Sequence, residues 1–141
     1  MLTKKAKYGL KAMVHLAGQL PGEPTLVTDI AVSNRIPKKF LDTILGELRN
    51  AGLVNSKKGK GGGYTLGRPA HEIMVGHIIR VLDGPLAPIQ CASKTSYRRC
   101  DDCVDEKRCS VRIMMLEASK AISTVLDNRT LAEMRALIEL R

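Results

Sequence analysis

The stretch VTDIAVSNRIPKKFLDTILGELRN, residues 27–50, decides the fold. A short helix over Val27–Asn34, started by Thr28 or its neighbour, turns Ile30 and Ala31 inward, and Asn34-Arg35-Ile36 leaves only a short link. Pro37 suits the first turn of the next helix, where its fixed φ is already helical and its missing N–H would be unpaired anyway. That second helix runs to about Asn50, with Phe40, Leu41, Ile44, Leu45 and Leu48 as its apolar stripe. Ala51-Gly52 stops it, Gly52 suiting a left-handed cap. Two short helices on a tight link make a helix-turn-helix, whose second helix enters the major groove of double-stranded DNA with its N-terminal end foremost.

Working outward, Leu53–Ser56 and Tyr64–Leu66 read as strands around the tip Lys57-Lys58-Gly59-Lys60-Gly61-Gly62-Gly63, a hairpin of the winged type. The three consecutive glycines permit positive φ and a close approach of backbone to a phosphate or groove wall. A nucleotide phosphate loop is excluded, because no Gly-Lys-Ser/Thr follows and a strand comes where a helix should begin. Upstream, Lys4–Gln19 is a helix with Leu10, Met13, Val14 and Ala17 inward, and Pro21-Gly22-Glu23-Pro24 ends it. Downstream of Arg68-Pro69, a helix is expected over Ile73–Leu82, with Ile73, His77 or Ile78, and Val81 on one face, closed by Gly84-Pro85. His77 there reads as packing, not as a ligand, and Tyr8 and Phe40 read as core, not as base-stacking groups.

The chain has 141 residues and a net charge of +9; the length suits one domain, or one small domain with an appendage. One Phe, three Tyr and no Trp leave the core to Leu, Ile, Val, Met and Ala, and so favour a mainly α fold. Residues 1–68 carry 12 Lys+Arg against 4 Asp+Glu, whereas residues 69–141 carry 11 against 10. The positive excess thus lies in the half that holds the helix-turn-helix and the wing, as a phosphate-binding surface requires. No run of about 18 apolar residues exists, so no membrane span is expected. Met1–Lys5 leads into a broken amphipathic pattern unlike a secretory signal, and a cytoplasmic location with reduced thiols follows. No Ser/His/Asp set, paired carboxylates or nucleotide loop is visible, and His15, His71 and His77 lack catalytic neighbours. The chain does not read as an enzyme.

From Ser110 to Leu126 the pattern is helical again. Val111, Met114, Ala118, Ala121 and Val125 form a coiled-coil-like seam, widened by Ile113, Leu116, Ile122 and Leu126. A helix apolar on two sides needs two partners, its own domain and a second subunit, so a homodimer is expected. Asp127-Asn128-Arg129-Thr130 breaks it, and Thr130–Leu140 forms a last helix opened by the capping box Thr130-Leu131-Ala132-Glu133.

All four cysteines fall between these halves, as Cys91-x8-Cys100-x2-Cys103-x5-Cys109. Residues 91–109 are polar and aperiodic, so something other than a hydrophobic core must order them. Four thiolates suit an iron–sulfur cluster or zinc, both takers of soft sulfur ligands; plain redox thiols or a disulfide are the third option. Arg98, Arg99, Lys107 and Arg108 are placed to lower thiol pKa values and to donate hydrogen bonds to sulfides.

Several of these segments resemble one family. Tyr8-Gly9-Leu10-Lys11-Ala12, Ile36–Leu41, Leu48–Val54, Gly59–Tyr64, Ile78–Leu86 and the cysteine loop are similar to the Rrf2 winged-helix transcription regulators, whose iron–sulfur-sensing members are the IscR-, NsrR- and RirA-like proteins. The resemblance covers nearly the whole chain. It implies a homodimeric DNA-binding regulator, a repressor, with the long helix at the dimer interface and an imperfect palindrome as its operator. It implies that Cys91, Cys103 and Cys109 are cluster ligands. The family's fourth-ligand positions are filled here by Arg112, three residues after the last cysteine, and by Lys7, neither of which can ligate. Cys100 is the natural replacement, giving an all-thiolate site for a 4Fe–4S cluster in preference to 2Fe–2S, with zinc as the alternative. For DNA, Lys38 and Lys39 would meet phosphates or guanine, and Asp42, aligned with an acidic specificity residue of IscR-like proteins, would accept from cytosine N4, with Thr43 beside it. Lys57, Lys58 and Lys60 would carry the wing to the backbone or minor groove. The division expected is residues 1–84 as winged helix-turn-helix domain, 85–109 as cysteine sensor loop, and 110–141 as dimerisation helix plus C-terminal helix.

Overall fold

The computed structural model describes residues 2–140. Six α-helices and one hairpin follow in the order α1 (Lys4–Ala17), α2 (Val27–Asn34), α3 (Lys38–Asn50), β1 (Val54–Lys57), β2 (Gly63–Leu66), α4 (Val75–Asp83), α5 (Ser110–Leu126) and α6 (Leu131–Ala136). This is a mainly α winged helix-turn-helix with a long helix appended.

α1 starts where Thr3 caps it, the hydroxyl accepting from the Ala6 N–H at 3.2 Å. It ends at Ala17, two residues short of the expectation. Its innermost side chains are Ala6, Leu10, Ala12, Met13 and Leu16; Val14 and Ala17, expected inside, are half-buried at the core's edge. In α3, Leu41, Ile44, Leu45 and Leu48 are all fully buried, while Phe40 is 37% exposed and lies edge-on against the Tyr8 ring at 5.6 Å. Phe40 therefore closes the rim of the core instead of filling it. Gly52 takes the left-handed φ of 77° just past the helix, as its position implies.

β1 and β2 pair antiparallel with Val54 opposite Leu66 and Lys57 opposite Gly63. Thr25 adds a third piece of ladder, exchanging two 2.9 Å backbone hydrogen bonds with Tyr64. Gly63 makes this possible. Its φ is 141°, and a Cβ there would overlap the Thr25 carbonyl. The close approach that the glycine run permits is thus, at Gly63, to the protein's own backbone, while Gly59 and Gly61 take positive φ in the open tip.

The helix expected over Ile73–Leu82 begins later, at Val75, after a 3-10 turn over Ala70–Glu72. Ile73 and Met74 stay extended because residues 129–131 claim their backbone: Val75 N–H donates to Arg129 O at 2.9 Å and Leu131 N–H to Ile73 O at 2.8 Å. Ile73, Val75, Ile78, Ile79 and Leu82 face inward; His77 is exposed and Val81 only half-buried, which settles that face for Ile78. The expected last helix is split into α6 and a 3-10 turn over Leu137–Leu140, and its Thr130–Glu133 capping box is present. α6 folds back onto α1, with Leu131 fully buried in the same core.

A bidentate ion pair fixes α5 to α4. Arg80 Nη1 and Nη2 donate to Asp127 Oδ1 and Oδ2 at 2.6 and 2.7 Å. Gly76 leaves the room, since a Cβ there would strike the Asp127 carboxylate. Hydrogen bonding from Arg80, aided by its charge and opposed by burial, holds the Asp127 carboxyl below its ordinary range. Thr3 ties the same C-terminal turn of α4 back to α1, donating from its N–H to Asp83 at 3.0 Å.

Gly63→Ala should cost about 1–3 kcal/mol in denaturant unfolding, whereas Gly46→Ala, in open space within α3, should gain about 0.5–1 kcal/mol. Asp127→Asn should lower the melting temperature at neutral pH by the equivalent of about 1 kcal/mol or less, the pair being solvent-screened. It should also flatten the acid limb of stability. A depressed carboxyl stabilises above the unfolded value of about 3.9, and that contribution fades as pH falls through the lower folded value.

Candidate nucleic-acid interface and cysteine loop

The burial of α3 on one side dictates what it shows on the other. Lys38, Lys39, Asp42 and Thr43 recur at helical spacing and are all exposed along its N-terminal half. Lys38 Nζ lies 3.1 Å from Asp42 Oδ2, an i,i+4 pair, and the Thr43 hydroxyl donates to the Lys39 carbonyl at 3.4 Å. Asp42 is thus held by Lys38 in the unbound chain, and a cytosine amine would have to share it. Lys57, Lys58 and Lys60 are exposed at the wing tip, with Arg68 exposed just beyond β2. Lys5 of α1 pairs with Glu47 of α3 at 2.7 Å, so two of the first-half charges are spent on joining helices.

The cysteine loop is not wholly irregular. Short 3-10 turns form over Gln90–Ala92 and Glu106–Arg108. Cys91 is buried, Cys103 and Cys109 are half-buried, and Cys100 is exposed. Cys91 and Cys100 Sγ stand 3.7 Å apart. Cys109 is the N-cap of α5, its sulfur accepting from the Arg112 N–H at 3.5 Å. Cys103 is held by backbone, its N–H donating to Cys100 O at 3.1 Å and its carbonyl accepting from Arg99 at 3.2 Å. Cys100, the cysteine without a counterpart in the expected three-ligand set, is therefore the one beside Cys91.

The basic residues do not depress the Cys100 thiol. Its pKa is raised, first by the hydrogen bond with Cys91, then by local desolvation and by the repulsion that a thiolate there would meet from Asp102 and the neighbouring sulfurs. A cavity of about 370 Å³ opens beside the pair, lined by Arg98, Arg99 and Asp101 among others. Arg112, at the position where a ligand was sought, does structural work: its Nε donates to Cys91 O at 2.9 Å and so fastens the loop to α5. The Ser119 hydroxyl, donating to Leu86 O at 3.3 Å, fastens the linker further along. Nothing in the sequence marked Arg112 for this, since its partner is a carbonyl.

The donor set has the softness that iron–sulfur or zinc binding requires, and thiols 3.7 Å apart match the edge of a tetrahedron with metal–sulfur bonds of about 2.3 Å. Only that one edge is in place. Among the described residues no three ligating groups gather where a metal ion could be held.

A helix-turn-helix with a two-stranded wing and an appended long helix defines a winged-helix, DNA-binding transcription regulator. The comparisons make the class specific. The Rrf2 family, described as iron-dependent transcriptional regulators, matches residues 2–136. The chain is 39% identical over 139 residues to an rrf2-like HTH-type transcriptional regulator of Rhodobacter capsulatus, a match spanning 96% of this chain and 93% of that one. Among solved structures it is similar to CymR (YrzC), the global cysteine regulator of B. subtilis, with TM-score 0.79, 33% identity and 97% of each chain covered. It is also similar to T. potens IscR, with TM-score 0.76, 31% identity, and 100% and 88% of the two chains covered. The chain belongs to the Rrf2 family, whose members are transcriptional regulators and not enzymes. No helix among the described residues is long and apolar enough to cross a membrane.

Lys58→Ala and Asp42→Ala should separate affinity from selectivity on duplex DNA. The first should weaken all sequences alike and reduce the salt slope by about 0.9. The second should strengthen binding to mixed sequence and narrow the gap between preferred and random duplexes, as read by fluorescence anisotropy.

Proposed function

We propose that the protein is a homodimeric cytoplasmic repressor that reads an imperfect DNA palindrome and senses iron, redox state or nitric oxide through its cysteine loop. Residues 1–84 are the reading head, 85–109 the sensor and 110–141 the spine and returning tail. Lys38, Lys39, Asp42 and Thr43 enter the major groove, and Lys57, Lys58 and Lys60 follow the flanking backbone. In a two-fold dimer the two α3 helices meet major grooves about 34 Å apart.

The observation that carries this reading is the state of α5. None of its 17 residues is fully buried, and Val111, Ile113, Met114 and Val125 are each more than half exposed. So much apolar surface on one helix supports a second subunit as its cover. An apolar groove of about 830 Å³ between α1, α4, α5 and α6, lined by Ile79, Leu86, Ile122 and Leu126 among others, continues the same surface.

Cys91, Cys100, Cys103 and Cys109 are the residues that would hold an iron–sulfur cluster, 4Fe–4S in preference to 2Fe–2S. Such a cluster would supply a centre sensitive to oxidants, nitric oxide and iron supply. What the chain itself supplies is the lever: the Cys91 backbone is tied through Arg112 to α5, so reordering the loop bears directly on the spine. A cluster-free thiol switch is the second reading, favoured by the 3.7 Å spacing of Cys91 and Cys100. Zinc held by the same thiols is the third.

Anaerobic purification decides among them. The expected result is a brown protein with visible charge-transfer absorption, bound iron and acid-labile sulfide. Colourless protein with stoichiometric zinc would establish the metal alternative. Colourless, metal-free protein that loses two hydrogens on mild oxidation, with a Cys91–Cys100 peptide in the digest, would establish the thiol switch. Equal affinity and salt slope for one operator in cluster-loaded and cluster-free protein would end the sensing role.

A further inference from the structure

Arg35 ends α2 in the left-handed region, at φ 54° and ψ 48°. It is the one non-glycine with positive φ among the described residues. Ile36 N–H donates to Ala31 O at 2.9 Å and Arg35 N–H to Val32 O at 3.4 Å. These are the paired bonds of a helix end whose usual left-handed occupant is glycine. A Cβ in this region crowds the following carbonyl, and glycine escapes that cost. The conformation persists because Ile36, next in the chain, is buried in the core at 4% exposure. Arg35 is exposed, and no ion pair among the described residues includes its side chain.

Its surroundings are basic. Lys11 reaches from α1 to the Asn34 carbonyl at 3.1 Å, and Lys38 and Lys39 open α3 immediately after Pro37. A strained, unpaired residue locked in place by its neighbours is where function is to be sought. We propose that Arg35 is a phosphate-binding residue of the DNA interface. From the turn it presents a planar fork of donors to a backbone phosphate beside the groove that α3 enters, the bidentate geometry for which guanidinium is suited. This rests on the DNA-binding reading above and adds a contact that fixes register without reading bases. The competing role is a cation favouring the C-terminal end of the α2 dipole, which would show as stability alone.

The test uses the full chain, a mixed-sequence duplex oligonucleotide and anisotropy over a range of salt concentrations, with thermal melting alongside. Arg35→Gly is expected to raise the melting temperature, lower affinity several-fold at low salt and reduce the salt slope by about 0.9, one phosphate contact. Arg35→Asn, which tolerates the same backbone, should lose affinity and slope in the same way, and Arg35→Lys should keep the slope. Unchanged affinity and slope in Arg35→Gly would overturn the proposal. A fall in affinity together with a fall in melting temperature would overturn it too, since the residue would then be structural. Wild-type protein that binds no duplex at all would remove the DNA-binding reading itself, a result distinct from either.

Discussion

Everything the reading head presents depends on how α3 is seated. Leu41, Ile44, Leu45 and Leu48 are sealed against α1 and α4, and each such side chain contributes roughly 1.5–3 kcal/mol through burial. Turning the helix by a single residue would expose part of that stripe and bury a lysine. The apolar face therefore sets the angle at which Lys38, Lys39, Asp42 and Thr43 leave the surface. The direction of these polar side chains is a by-product of core packing, since they ride on a rotation that hydrophobic contacts fix.

The second constraint acts at the ends of α5. At its N-terminus Cys109 caps it and Arg112 binds the cysteine loop; at its C-terminus Asp127 is gripped by Arg80, and just beyond it Arg129 and Leu131 pair with Val75 and Ile73. The middle of the helix has few such ties within its own chain. A helix fastened at both ends to different parts of the molecule carries a displacement from one to the other without bending, which links the cysteine loop mechanically to the core around α4.

Residues 27–50 were legible because Ile30 and Ala31 in α2 and Leu41, Ile44, Leu45 and Leu48 in α3 are buried at helical spacing. The wing was legible from its glycines and lysines, and α5 from its seam. The limits have physical reasons. The start of α4 moved from Ile73 to Val75 because its backbone groups are taken by residues 129–131, a pairing that no local pattern encodes. Phe40 fitted the stripe by spacing but sits at its edge, where only the packed neighbours Tyr8 and α1 decide exposure. In the cysteine loop, spacing showed that four thiols share one segment but not that Cys100 would neighbour Cys91, because an aperiodic chain has no geometry until its contacts are known. Arg35 carries no glycine to announce its left-handed turn; the core beneath Ile36 imposes it.

The return of α6 onto α1 has a consequence for how the molecule is made. α1 emerges from the ribosome well before part of its permanent cover, Leu131 and its neighbours, which follows α5 and the thiol-rich segment. During synthesis the head must wait, incompletely closed, until the tail arrives. α1 thus keeps an open apolar flank until the residues that follow the cysteine loop have been translated.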